Sequence, residues 1–170
     1  ETDGAVPGLQ IVHPGRDAAF VRGDDLISSS RIMWEPWYEN GGGVPRELSI
    51  EEIHQYVEYF GDAARRGQTA GFEIIDIHAA CGVLLSNFLS PRNNRRNDMY
   101  GGSLHNRARF LIEVIRNIKK KAPGVALSVR LSGIDFEPEG ITIEETVEVA
   151  KMCEAAGADA INITLSLIHI

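Results

Sequence analysis

The sequence is poor in cysteine, in positive charge and in long apolar runs, and each scarcity excludes something. Two cysteines in 170 residues, Cys81 and Cys153, make neither a disulfide framework nor the paired spacing of a metal site. No metal centre is expected, and a reducing cytoplasm fits best. Lys and Arg number 17 against 24 Asp and Glu, a net charge of −7 with no basic block. That balance argues against a nucleic-acid partner. No apolar stretch approaches the ~20 residues that cross a bilayer, so no membrane partner is expected. No glycine-rich phosphate fingerprint follows any strand-like run, which argues against a dinucleotide-binding Rossmann unit. What remains is 44% hydrophobic and 24% charged, an ordinary globular composition of a length that suits one domain.

The chain is organised around residues 72–110. Ile74, Ile75 and Ile77 make a β-branched run that reads as a buried strand ending on His78. A polar loop follows, with Pro91 and Gly101-Gly102 as punctuation. Ser103 opens a helix whose apolar residues fall at Phe110, Leu111, Val114, Ile115 and Ile118. A strand thus delivers His78 to a loop and a helix returns, and in parallel α/β folds that strand end is the ligand side.

The same pattern recurs on either side. Gly8 to Val12 reads as a strand, and residues 13–48 as a long irregular connection. Ser49 and Glu52 form a capping box for a helix with Ile53, Val57, Phe60 and Ala64 on one face, stopped by Gly71. Val125 to Ser132 reads as a strand. Thr142 and Glu145 repeat the capping box, Gly157 closes that helix, and Ala158 to Thr164 reads as a further strand. Alternating strands and helices predict a parallel sheet with right-handed crossovers. At this level a doubly wound sheet and a barrel segment both satisfy the pattern, and His78 reads more readily as a structural histidine than as a functional one.

The run from His78 through Ser90, Pro91, Asn94, Arg96, Asp98, Tyr100, Gly101, Gly102 and Ser103 to Asn106, Arg107, Arg109 and Phe110 resembles the signature of the old yellow enzyme family of FMN-dependent ene-reductases. Gln10 lies in LQIVHPGR, similar to the family's third strand, and Arg130 in SVRLS, similar to its fifth. The resemblance implies an α/β fold, a partial (β/α)8 TIM barrel of roughly strands three to six. Residues 1–164 are then the central part of one FMN-binding barrel domain. Both ends look cut, and residues 165–170 (LSLIHI) match a library-adapter translation and are expected to be a non-native tail.

The resemblance also implies site roles. His78 donates a hydrogen bond to the carbonyl oxygen of an α,β-unsaturated substrate. Cys81 stands where the family has a second donor, His or Asn, and a thiol donates weakly. As a small buried residue Cys81 is equally plausible. Gln10 addresses the polar edge of the flavin and Arg130 the region near flavin N1. Val83 replaces the tyrosine that protonates the substrate. Trp34, Trp37 and Tyr38 are candidates for a roof over the pocket, with packing on the barrel rim as the equal alternative. His13 and Arg16 belong to the third-strand motif in structural roles, and Asn94, Arg96, Asp98, Arg107 and Arg109 read as a loop-shaping network. Cys153 reads as core.

The implied function is transfer of hydride from NAD(P)H through FMN to the β-carbon of an α,β-unsaturated carbonyl compound, a small-molecule partner. An amine-demethylating flavin dehydrogenase and a non-catalytic flavin- or partner-binding barrel are the alternatives. The HPGR and AACGV runs are similar to the 2,4-dienoyl-CoA and 2-enoate reductase branch. There an iron–sulfur cluster and FAD sit in further domains, beyond this chain. Substrate identity and oligomeric state are not encoded in any motif.

Overall fold

The computed structural model describes residues 3–20, 26–33 and 43–165. In chain order its elements are β1 (Gly8–Ile11), a 3-10 helix (Gly15–Phe20), the short strands β2 (Ile27–Ser28) and β3 (Arg46–Glu47), α1 (Ile50–Thr69), β4 (Ile74–Ala79), α2 (Leu84–Leu89), α3 (Leu104–Lys121), β5 (Ala126–Ser132), α4 (Ile143–Ala156) and β6 (Ala160–Thr164). Strands β1, β4, β5 and β6 form one parallel sheet in that order. β2 and β3 pair separately.

The order decides between the two architectures that the pattern left open. A doubly wound sheet reverses its strand order and carries helices on both faces. Here each new strand adds beside the last. Ile75, Ile77, Leu127, Val129 and Leu131 are buried in one core with Phe60, Leu111, Ile115 and Val149 from the helices. The alternate residues Asp76, His78, Ser128 and Arg130 face the other way and are only half-buried. Helices on one face and a polar row on the other make this α/β sheet a piece of a (β/α)8 wall.

Local chemistry explains most element boundaries. At α1 the Ser49 hydroxyl accepts from the Glu52 N–H, and the Glu52 carboxylate accepts from the Ser49 N–H at 2.8 Å. The expected second box is only half formed. Thr142 accepts from the Glu145 N–H, but the Glu145 carboxylate turns to the buried Arg107 guanidinium instead of back to the cap. Cys153 is fully buried, and burial pushes its thiol up to about 12. Lys121, in the last turn of α3, bridges to α1 through Glu58 and Asp62.

Two stretches differ from the expectation. The loop after His78 contains α2, whose six residues are all buried. The connection over residues 13–48 is not wholly irregular: it holds the 3-10 helix and the β2–β3 pair. Its residues 34–42, with Trp34, Trp37 and Tyr38, lie outside the described residues, as does the expected tail from residue 166.

Arg96 ties this region together. Its guanidinium, 3% exposed, pairs with Asp98 and donates to the carbonyls of Leu48 at 2.7 Å and Ser29 at 3.2 Å. Asn94 Nδ2 donates to the carbonyls of Phe88 and Tyr100, and Arg109 donates to that of Met99. These contacts make the signature run a scaffold. Gly101 is required within it, because a Cβ there would stand 2.1 Å from the Arg96 carbonyl oxygen.

Candidate active site

Successive side chains of a strand alternate between faces, so the face away from the helices receives Gln10 of β1, Asp76 and His78 of β4, Arg130 of β5 and Asn162 of β6. The register fixes their neighbours. Gln10 lies opposite Asp76, and its Nε2 donates to Asp76 Oδ2 at 2.6 Å. One row on, ~7 Å toward the carboxyl ends, His78 lies opposite Arg130, and Arg130 opposite Asn162. Arg130 Nη2 donates to the Thr164 hydroxyl at 3.3 Å.

Three polar atoms of this face are buried without a partner among the described residues: Asp76 Oδ1, His78 Nδ1 and Arg130 Nε. Buried polar atoms are ordinarily hydrogen-bonded, so a cluster of three on one face marks a place built for something else to bond. The His78 pKa is lowered, first by burial and then by the Arg130 cation, with Asp76 partly opposing. A neutral imidazole offers one donor and one acceptor nitrogen.

At the carboxyl end of β4 the chain turns sharply. Cys81 has φ +58 and Gly82 φ +86. The Cys81 N–H donates to the Ser132 hydroxyl at 3.1 Å, which ties the turn to the end of β5. Cys81 is half-buried. Val83 is the N-cap of α2 and gives no side-chain hydrogen bond there. The carbonyl of His13 accepts from the Leu84 N–H at 3.0 Å, so the loop after β1 takes part in capping α2. His13 Nδ1 also accepts from the Gly15 N–H, and its ring meets Tyr56 edge-on at 5.0 Å. Arg16 donates to Asn93 Oδ1 at 3.0 Å. His13 and Arg16 thus hold loops together.

The structure therefore brings Gln10, His78 and Arg130 onto one face, and sets Cys81 and Val83 on the turn just beyond. Sequence reasoning passed over Asp76, Ser132 and Thr164. Asp76 had a signal: it lies two residues before His78 in an alternating strand, so it shares the histidine's face. Ser132 and Thr164 act through contacts between strands distant in sequence, which no local pattern displays.

The model of the NADH:flavin oxidoreductase / NADH oxidase family matches residues 1–170. The chain belongs to this family. Its relatives include an NADPH dehydrogenase of Geobacillus thermodenitrificans, 40% identical over 161 residues, which cover 95% of this chain and 45% of that protein. The chain thus spans about half the length of the curated relatives it matches. Among solved structures, the complex of 2-naphthoyl-CoA reductase with 2-naphthoyl-CoA superposes with a TM-score of 0.85 at 34% identity, over 97% of this chain and 27% of that one. Morphinone reductase superposes with a TM-score of 0.80 at 28% identity, over 95% of this chain and 48% of that one.

A flavin oxidoreductase needs protein groups that meet the flavin's alternating carbonyl and N–H edge. The residues present fit that demand. The Gln10 amide carries both a donor and an acceptor, and with Nε2 engaged by Asp76 its oxygen remains as acceptor. The unpartnered Arg130 Nε supplies a buried cationic donor on the same face.

Proposed function

We propose that a full-length protein carrying this chain is an FMN-dependent ene-reductase that uses NAD(P)H and acts on α,β-unsaturated carbonyl compounds. One observation carries this reading: His78 presents a half-buried imidazole with an unpartnered nitrogen, directly opposite Arg130 and one row beyond the Gln10–Asp76 pair. Gln10, His78 and Arg130 thus share a face, with His78 and Arg130 level with each other and Gln10 one row before them.

Gln10 and Arg130 would hold the FMN ring, and Asp76 fixes the Gln10 amide. When bound, FMN carries hydride between NAD(P)H and the alkene. Hydride arriving at the β-carbon pushes electrons onto the carbonyl oxygen. His78 would donate a hydrogen bond to that oxygen. A preorganised donor of this kind is worth about 2.7–4 kcal/mol. Arg130 would supply positive charge to a bound flavin ring. Cys81 would lie near the same oxygen as a weak second donor.

The test is His78→Ala in the full-length enzyme, with the reoxidation of the reduced enzyme by a cyclic enone followed in a stopped-flow instrument. The expected loss is roughly 10²–10³-fold with flavin still bound. An unchanged rate would make His78 structural. Flavin reduction by a secondary or tertiary amine in the absence of NAD(P)H would favour the amine-demethylating alternative. Bound flavin that neither NAD(P)H nor an amine reduces would favour the non-catalytic one.

A further inference from the structure

Valine at position 83 leaves the site without the tyrosine that the family signature sets beside His78. The reduction nonetheless requires a proton at the substrate's α-carbon. The loop after β1 brings another acid to the same turn. Asp17, in the 3-10 helix, packs its carboxylate on Gly82: Oδ2 lies 3.0 Å from where a Cβ on Gly82 would stand, and Oδ1 lies 4.0 Å from it. A side chain at position 82 would displace this carboxylate, and the turn accommodates it through two successive left-handed residues, Cys81 and Gly82.

Among the described residues no hydrogen bond to Asp17 Oδ1 accounts for its burial. Its neighbour Arg16 is engaged with Asn93 instead. The loop itself is firmly seated, because Gly15 lies against the backbone of Leu84 and the His13 carbonyl accepts from the Leu84 N–H. An aspartate carried by a stapled loop, pressed on the residue next to Val83, matches the needs of a proton donor better than those of a cap or an ion pair.

We propose that Asp17 is the acid that protonates the substrate α-carbon, taking the part for which Val83 has no proton. The inference rests on the ene-reductase reading. In the step, the β-carbon accepts a flavin-borne hydride whose two electrons originate in NAD(P)H. The Asp17 O–H bond breaks, a C–H bond forms at the α-carbon, and the carboxylate left behind is reprotonated by water. The Asp17 pKa is pushed up to about 6 by burial, with Arg16 opposing. That places the acid much nearer neutrality than an exposed aspartate. Among the described residues the charged group acting on it is Arg16 on its own helix, with Arg92 and Asp135 acting on Arg16 from the neighbouring loops.

The experiment uses the full-length enzyme as wild type, Asp17→Asn, and Asp17→Asn combined with Val83→Tyr. Enone-driven reoxidation is measured from about pH 5 to 9, with NADPH-driven flavin reduction as the companion half-reaction. In the wild type the enone rate should fall as pH rises through about 6. Asp17→Asn should lower it by roughly 10²-fold, remove that pH dependence and leave flavin reduction intact. Val83→Tyr should restore much of the loss. A carboxyl resonance of labelled Asp17 titrating near 6 gives a readout independent of turnover. Wild-type rate and pH profile retained in Asp17→Asn would overturn the inference, as would a loss shared equally by both half-reactions and not rescued by Val83→Tyr. A wild type that reduces no enone while NADPH still reduces its flavin would instead overturn the ene-reductase reading itself.

Discussion

Arg96 shows how much one side chain can hold. It donates to Asp98 through Nε and Nη2, reaches the carbonyls of Ser29 and Leu48 through Nη1, and lies over the Phe88 ring at 5.8 Å. Removing it strands two buried carbonyls and strips Asp98 of its cation. Arg96→Ala should cost about 3–5 kcal/mol in urea unfolding, whereas breaking an exposed pair such as Arg95–Glu139 should shift the urea midpoint far less. The Asp98 pKa is lowered, first by its bond to Arg96. The stabilisation is therefore complete at neutral pH and is lost as pH falls through the lowered value. An acid titration should show this loss in the wild type and not in Arg96→Ala. The network role of Arg96 was legible in the sequence, because Arg and Asp two residues apart in a tight loop ordinarily fix its conformation. Asp17 was not legible. An aspartate in a polar loop looks like any solvated charge, and only burial against Gly82 distinguishes it.

At the scale of elements, the capping residues separate two kinds of helix start. Ser49 and Glu52 satisfy each other at α1, while at α4 only Thr142 contributes and Glu145 serves Arg107. Ser49→Ala should destabilise by about 1 kcal/mol, measured as a shift in urea midpoint. Glu145→Gln should act chiefly by loosening Arg107, so its effect should shrink strongly in an Arg107→Met background. The long helices and the strands were readable because each shows one apolar face with the period of its geometry. α2 escaped because all six of its residues are buried, so it has no polar side to create a stripe. The 3-10 helix and the two-residue strands β2 and β3 are too short for any period to show. The strand order was likewise not contained in local pattern. Only the match of the signature run to a barrel family anticipated it.

At the scale of the whole molecule, the sheet has two outer strands, β1 and β6, among the described residues. Ile143, Val147 and Ile163 stand about half exposed at the β6 side. In barrels of this class the phosphate of a cofactor is commonly held by loops after the seventh and eighth strands. Among the described residues the main sheet presents its polar face on four strands. Titration of the 170-residue chain with FMN should therefore give a Kd weaker than about 10 μM, near −7 kcal/mol, and micromolar or tighter binding would contradict this. The alternation in β4 has a further consequence. Ile75, Ile77 and Ala79 answer to the core, while Asp76 and His78 line the polar face, within six consecutive residues. Selection for a new substrate acts on one set of codons and selection for folding on the other, interleaved along a single strand. A substitution in the polar set therefore leaves the buried set, and the wall's hold on its helices, unaltered.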